Sequence, residues 1–186
     1  GDTPLLRSET ISSLAETCRK ENASAAVLTA VLDNPFGYGR ILRDSVGRVT
    51  GIVEEKDASE AQRKIHEINT GIYCVEMPLL FTLLENLSND NAQGEYYLPD
   101  TLDILRQSGH QIGAHTLQDF TESLGVNDRV ALAVTNRVMH ERINHGLMVA
   151  GVELIDPANT YIDAKVAIGS DTVIEGGVTI LGNTHI

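Results

Sequence analysis

Five isoleucines recur at a spacing of six residues in the last part of the sequence. They are Ile162, Ile168, Ile174, Ile180 and Ile186, and a β-branched residue follows each of the first four by four positions. A period of six fits neither an α-helix nor an ordinary two-layer sheet. It is typical of a solenoid in which short strands stack in register and each face turns one aliphatic residue inward. The alternative is a β-hairpin rich in isoleucine and valine.

The isoleucine series is short for a solenoid. Residues 162–186 cover little more than one triangular coil, whereas about three repeats are needed before such a stack buries a continuous core. The sequence also begins with Gly1-Asp2 rather than Met. We therefore expect this chain to be a fragment of a longer protein.

The net charge, the cysteines and the apolar runs limit which binding partners and cellular compartments are expected. A net charge of −12 over 186 residues argues against a nucleic-acid duplex or an anionic membrane as partner, but a nucleotide can still bind in a local pocket. The two cysteines, Cys18 and Cys74, are far apart in sequence and indicate neither a disulfide framework nor a Cys-based zinc site. No apolar run approaches the ~18 residues that span a membrane. A cytoplasmic protein is the simplest interpretation.

Helix and strand patterns alternate before the isoleucine series, which predicts an α/β sheet covered by helices. Ser8 is expected to cap the first helix, and Pro78 and Pro99 to start two others. A connecting helix is predicted over residues 130–144, and residues 146–157 lead into the solenoid. Strands are predicted at residues 25–32, 41–42, 49–53, 68–75 and 111–117.

Several polar residues are candidates for binding, each with a structural alternative. Asp2 can hold Mg²⁺ at the edge of an α/β sheet or be a turn residue before a helix. Asn69 interrupts an apolar strand, where it can bind a ligand or hydrogen-bond its own backbone at a bulge. Asn127 precedes the connecting helix, where an N-cap is the alternative. The charged cluster of residues 54–57 reads as a solvated face.

The order of the motifs is more specific than any one of them. GDTPLL, NPFGYGRI, GIVEEKDA, EINTGIY, NAQGEYYLPD and GVNDR precede the isoleucine series. Together they resemble the bacterial family of bifunctional N-acetylglucosamine-1-phosphate uridyltransferases and glucosamine-1-phosphate N-acetyltransferases, over essentially the whole chain.

The resemblance implies a partial Rossmann-like nucleotidyltransferase domain (residues 1–129), a linker helix (130–150) and the start of a left-handed parallel β-helix (151–186) that forms a homotrimer. It implies Mg²⁺-dependent uridylyl transfer from UTP to N-acetylglucosamine-1-phosphate, and acetylation with acetyl-CoA in the full-length protein, as steps of cell-wall precursor synthesis. Asp2 and Asn127 would coordinate Mg²⁺ and act in catalysis through it. The residues implied to contact the UDP-sugar are Gly1, Asp2, Gly39, Glu54, Asn69 and Asn127, and Glu95 and Tyr97 are implied to line the sugar pocket as well.

The chain also departs from that family pattern. The Gly-rich loop that grips the nucleotide and the acetyltransferase residues have no counterpart in these 186 residues, and Pro99 stands where many relatives have Thr. We therefore expect the fragment alone to be inactive. Two alternatives remain, a non-catalytic assembly subunit with an oligomerising solenoid and a nucleotidyltransferase for another sugar-1-phosphate.

Overall fold

The computed structural model describes residues 2–87, 94 and 96–186. The chain divides into two compact units, one of residues 6–123 and one that joins residues 1–5 to residues 124–186. Gly39, Glu54 and Asn69 belong to the first of these units, and Asp2 and Asn127 belong to the second. No helix among the described residues is long and apolar enough to span a bilayer.

The first unit is built on a five-stranded sheet of order β3-β2-β4-β1-β5. β1 and β5 are parallel, and the pairs β1–β4, β2–β3 and β2–β4 are antiparallel, so the sheet is mixed. Each predicted strand is present, with small shifts at the ends. The strands are β1 (Ala25–Val31), β2 (Arg40–Arg43), β3 (Val49–Val53), β4 (Glu67–Val75) and β5 (Ile112–Thr116).

Helices cover both faces of this sheet. Six successive residues of β1 are buried, because a central strand between two layers has no solvent face. Leu102 and Leu105 pack with Val27 on one face, and Leu14 packs with Leu28 on the other. The helices of this unit are α1 (Ser8–Lys20), α2 (Glu60–Arg63), α3 (Met77–Glu85) and α4 (Asp100–Gln107), followed by a 3₁₀ turn (Phe120–Ser123).

The predicted helix starts are partly correct. Pro78 lies in the first turn of α3 and Pro99 is the N-cap of α4. The expectation for Ser8 is wrong, since Ser8 is the first residue of α1 and the N-cap is Arg7, which makes no side-chain cap bond. The Arg7 backbone N–H instead donates to Glu122 Oε2 at 3.0 Å, so a distant carboxylate binds a backbone group at this helix start.

The second unit consists of α5 (Arg129–Val149) followed by short strands. α5 continues beyond the predicted end at residue 144, because Ile143 and Leu147 pack together against a buried core of the strand region. The expectation that residues 146–149 belong to the connection is therefore wrong. The strands are β6 (Glu153–Leu154), β7 (Tyr161–Ile162), β8 (Val173–Ile174) and β9 (Thr179–Ile180).

Successive turns of this region stack in parallel. Tyr161 pairs with Thr179, and Ala167 forms a bridge with His185, so both pairings join residues 18 positions apart. β6 and β8 are also parallel. Among the periodic isoleucines, Ile162, Ile174 and Ile180 are buried and Ile168 packs against them. Ile186, the last residue of the sequence given, is 55% exposed. Parallel pairing rules out the hairpin alternative, whose strands would be antiparallel.

Candidate functional site

Asp2 and Asn127 lie next to each other in the second unit although 125 positions separate them. The backbone N–H of Val126 donates to the Asp2 carbonyl oxygen at 2.7 Å. A Cβ added at Gly125 would lie 3.8 Å from both that oxygen and Asn127 Nδ2. Both Asp2 and Asn127 are exposed. The main chain of Asp2 and the side-chain amide of Asn127 therefore lie close together at a solvent-accessible place.

The N-cap alternative for Asn127 is wrong. Asp128 is the N-cap of α5, and its Oδ1 accepts a hydrogen bond from Ala131 N at 2.7 Å. Because the neighbouring aspartate satisfies the helix terminus, the Asn127 amide is not required for capping.

In the first unit, strand register brings Gly39, Glu54 and Asn69 together. Arg40 pairs with Val53 on β3 and with Ile68 on β4. One position further along each strand, the same register juxtaposes Gly39 with Glu54 and with Asn69. Asn69 N donates to the Gly39 carbonyl oxygen at 2.8 Å, and a Cβ on Gly39 would lie 2.9 Å from Glu54 Oε1. The three residues form one cluster, in which Gly39 precedes β2, Glu54 follows β3 and Asn69 lies within β4.

Glu54 carries a carboxylate that the surrounding protein does not neutralise. Glu54 is partly buried, and its carboxylate forms no hydrogen bond or ion pair with residues 2–87, 94 and 96–186. Burial raises the pKa of Glu54, the negative charges of Asp57 and Asp100 raise it further, and Arg40 lowers it. An acceptor without a protein donor in a partly buried position is suited to a hydroxyl or amide N–H of a ligand.

The cluster of residues 54–57 is not a uniformly solvated face. Glu55 binds Arg40, with 2.6 Å between Glu55 Oε2 and Arg40 Nη2, and Arg40 is only 1% exposed. This ion pair holds the pKa of Glu55 below its usual value, mainly through the hydrogen bond from Arg40. Neighbouring glutamates therefore differ in role, since Glu55 neutralises a buried cation and Glu54 faces Gly39.

Asn69 makes the backbone contact that its alternative predicts. The register of β4 against β1 shifts between Asn69 and Tyr73, and Gly71 has a φ of +78°, which glycine adopts without strain. Asn69 Oδ1 accepts hydrogen bonds from Gly71 N and from Tyr73 Oη, both at 2.9 Å. Asn69 Nδ2 donates to no protein group in the described part of the chain. The amide oxygen of Asn69 therefore accepts hydrogen bonds at the bulge, and the amide nitrogen forms none with the described residues.

Two of the expected residues fall outside the description. Gly1 and Glu95 are not among the described residues. Tyr97 precedes α4, and its carbonyl oxygen accepts from Asp100 N at 3.1 Å. Sequence reasoning missed Tyr73 and Arg40. The one signal for Arg40 was a charged residue directly before the apolar pair Ile41-Leu42 of a predicted strand.

Comparison with known proteins identifies the family. No protein-family model matches the chain. The protein named bifunctional protein GlmU from Lactobacillus delbrueckii subsp. bulgaricus is 55% identical over all 186 residues, and those from Pediococcus pentosaceus and Listeria monocytogenes are 53% identical over the same length. The chain belongs to the bifunctional GlmU family. It spans about 40% of the length of these relatives.

Solved structures support the α/β part of the fold. A Bacillus anthracis protein assigned as a glucose-1-phosphate thymidylyltransferase has a TM-score of 0.50 at 19% identity, covering 69% of this chain and 48% of its own. A UTP-bound UGPase from Acinetobacter baumannii has a TM-score of 0.50 at 17% identity, covering 70% and 44%. The α/β sheet covered by helices that the sequence predicted is confirmed, and this GlmU family member shares a mixed α/β sheet with nucleotidyltransferases.

Proposed function

We propose that this chain provides the metal-binding and sugar-binding residues of a uridyltransferase. The reaction is the transfer of a uridylyl group from UTP to N-acetylglucosamine-1-phosphate, which yields UDP-N-acetylglucosamine and pyrophosphate. The observation that carries the proposal is the adjacency of Asp2 and Asn127, secured by the 2.7 Å bond from Val126 N to Asp2 O. Membership of the bifunctional GlmU family supports it.

Mg²⁺ fits the donors that Asp2 and Asn127 offer. The ion prefers hard oxygen ligands and keeps several positions for water and phosphate, and one carboxylate with one amide oxygen leaves such positions open. No group of three or more His, Cys, Asp and Glu side chains is placed to hold a metal within the described ranges, so phosphate oxygens and water would complete the coordination. When bound, Mg²⁺ neutralises phosphate charge and polarises the phosphorus that is attacked.

The protein's own task in this reaction is mainly to position the substrates. A phosphate oxygen of the sugar phosphate forms a bond to the α-phosphorus of UTP, and the bond from that phosphorus to pyrophosphate breaks. Glu54 would accept a hydrogen bond from the sugar, Asn69 Nδ2 would donate one, and Gly39 would allow the acetamido group to approach the backbone. No nucleophilic side chain is needed, because the substrate supplies the nucleophile.

The remaining assignments are proposals of the same kind. Residues 1–129 would belong to the nucleotidyltransferase domain, 130–150 to a linker and 151–186 to the start of a left-handed parallel β-helix. In the full-length protein that β-helix would trimerise and use acetyl-CoA to acetylate glucosamine-1-phosphate, in the cytoplasm. The parallel pairing at 18-residue intervals supports the β-helix part.

A chimera tests the function directly. The 186 residues of this chain replace the aligned residues of the Lactobacillus delbrueckii relative, and UDP-sugar and pyrophosphate are measured with UTP, Mg²⁺ and competing sugar-1-phosphates. UDP-N-acetylglucosamine should be the dominant product, whereas the 186 residues alone should give no turnover. A different dominant sugar would support the alternative nucleotidyltransferase, and absence of any UDP-sugar binding would support the assembly subunit.

A carboxylate deletion tests the metal site in the same chimera. Asp2→Ala should lower turnover by at least about 100-fold, the usual scale for loss of one transition-state charge contact. The control is Glu175→Ala, which removes an exposed carboxylate of the strand region and should leave turnover unchanged. Retained turnover in Asp2→Ala would remove Asp2 from the metal site.

A further inference from the structure

The orientation of the Asn69 amide is fixed by two donors. Gly71 N is a backbone N–H and can only donate, so the atom 2.9 Å from it must be the amide oxygen. Tyr73 Oη contacts the same oxygen at 2.9 Å. Burial raises the pKa of Tyr73 above its usual value, so the phenol stays protonated and can donate at physiological pH. Both contacts require the amide nitrogen to point away from the bulge.

The Tyr73 hydroxyl is held firmly because its ring is part of the core. Tyr73 packs against the buried cluster that contains Val27, Leu102 and Leu105. Its hydroxyl returns to Asn69 four positions back, which a regular strand does not allow, since a rise of ~3.3 Å per residue would separate the two residues by about 13 Å. The irregular register of β4 against β1 between these residues brings them together.

Glu54 and Asn69 then present complementary groups to a ligand. An ionised carboxylate only accepts hydrogen bonds, and the free Asn69 Nδ2 only donates them. The two residues are close, since Asn69 N donates to Gly39 O and a Cβ on Gly39 would lie 2.9 Å from Glu54 Oε1. A sugar carries hydroxyl or amide groups that provide a donor and an acceptor side by side.

We propose that Tyr73 is a positioning residue whose hydroxyl locks the Asn69 amide with its nitrogen toward the sugar phosphate. The pair thereby selects a substrate with a hydrogen-bond acceptor opposite Asn69. This inference rests on the proposed function, because it assigns the sugar phosphate to the cluster of Gly39, Glu54 and Asn69. Tyr73 itself does not touch the substrate and acts through Asn69.

The test is steady-state kinetics of the chimera with Tyr73→Phe, which removes a single oxygen atom. The KM for N-acetylglucosamine-1-phosphate should rise about fivefold, the scale of one hydrogen bond, while the KM for UTP stays within about twofold. The matched control is Tyr161→Phe, which removes an equivalent hydroxyl from a tyrosine that is 56% exposed in the other unit. That control should leave both KM values unchanged.

A double-mutant cycle separates positioning from general stability. In an Asn69→Ala background, Tyr73→Phe should have no further effect on the sugar-phosphate KM, because the residue it orients is gone. A wild-type chimera that forms no UDP-N-acetylglucosamine would overturn the proposed function itself. An active chimera in which Tyr73→Phe changes neither KM, raises both equally, or acts undiminished without Asn69 would overturn the role of Tyr73 alone.

Discussion

Gly39 and Glu54 are packed so closely that no side chain fits between them. A Cβ on Gly39 would lie 2.9 Å from Glu54 Oε1 and 3.2 Å from Ile52 Cγ2, both shorter than ordinary van der Waals contact. The φ of Gly39 lies outside the left-handed region, so glycine is needed here for space and not for backbone conformation. The absence of a side chain therefore decides where the Glu54 carboxylate can lie.

Gly39→Ala should weaken sugar binding more than it destabilises the protein. The carboxylate can rotate away at the end of a flexible side chain, so we expect a loss of no more than roughly 1 to 2 kcal/mol in unfolding free energy. The displaced Glu54 should raise the sugar-phosphate KM of the chimera at least about tenfold, the effect of a lost charged hydrogen bond. Thermal melts and kinetics measure the two effects.

Gly113→Ala is the matched control for that substitution. A Cβ there would also lie 2.9 Å from a glutamate oxygen, Glu21 Oε2, and 3.2 Å from Thr17 Cγ2. It should cost a similar amount of stability without changing the sugar-phosphate KM. Equal KM effects in both variants would show that the Gly39 result reports general strain.

Glu54→Gln should stabilise the protein at neutral pH. The pKa of Glu54 is raised on folding, first by burial and then by Asp57 and Asp100, so the folded state binds its proton more tightly than the unfolded state. Stability linked to Glu54 is therefore present below its unfolded pKa of 4.5 and is lost as pH rises through the folded value. Removing the charge should raise the melting temperature at pH 7 by roughly 1 to 3 °C.

The pH dependence of the melting temperature and the neighbouring variant Glu55→Gln provide two controls. The difference between Glu54→Gln and wild type should shrink as pH falls through 4.5 and vanish well below it, where the carboxyl is protonated in both states. Glu55→Gln should instead lower the melting temperature at pH 7, because it leaves the buried Arg40 without its carboxylate partner. A lower melting temperature of Glu54→Gln at pH 7 would contradict the conclusion that no protein group neutralises the Glu54 carboxylate.

Cys18 should resist alkylation in the folded protein. Burial and the adjacent Cys74 raise the pKa of the Cys18 thiol to about 12, and its Sγ contacts the Cys74 carbonyl oxygen at 3.7 Å. Such a thiol is much less ionised at pH 8 than an ordinary cysteine, of which roughly a quarter is ionised. Iodoacetamide labelling of Cys74→Ser at pH 8 should be slow before unfolding in guanidinium and fast after it. Rapid labelling of the native protein would contradict the raised pKa of this partly buried thiol.

The sequence was informative wherever the signal is local. Short apolar runs bounded by turn residues predicted all five strands of the sheet. The six-residue period predicted the parallel turns, because burial in a repeated structure recurs at a fixed spacing. The apolar pattern alone ended α5 too early, at residue 144, whereas the family resemblance implied a linker helix over 130–150. The residues that extend the helix, Leu147 among them, pack against strands that come later in the chain.

The chemistry of the candidate site depended on tertiary contacts that a linear pattern does not contain. Among residues 54–57, nothing in the sequence distinguishes Glu55, which binds the buried Arg40, from Glu54, which faces Gly39. The bond between Asn69 and Tyr73 requires an irregular strand. Asp128 rather than Asn127 is the helix cap, a choice between two adjacent residues that both cap well.

Asn144 provides the last test, because it joins α5 to the segment that leads into the stacked strands. Its side chain is 1% exposed, and Nδ2 donates to Pro157 O at 2.7 Å and to Thr160 O at 2.9 Å. Asn144→Ala would remove this donor from both carbonyl groups, and Thr160 is fully buried, so the substitution should lower the unfolding free energy by about 2 to 4 kcal/mol. Asn136→Ala on the same helix is the control, since Asn136 is exposed and its loss should stay within about 0.5 kcal/mol. Urea unfolding of both variants gives the comparison, and equal stability would mean that the Asn144 amide does not secure this segment.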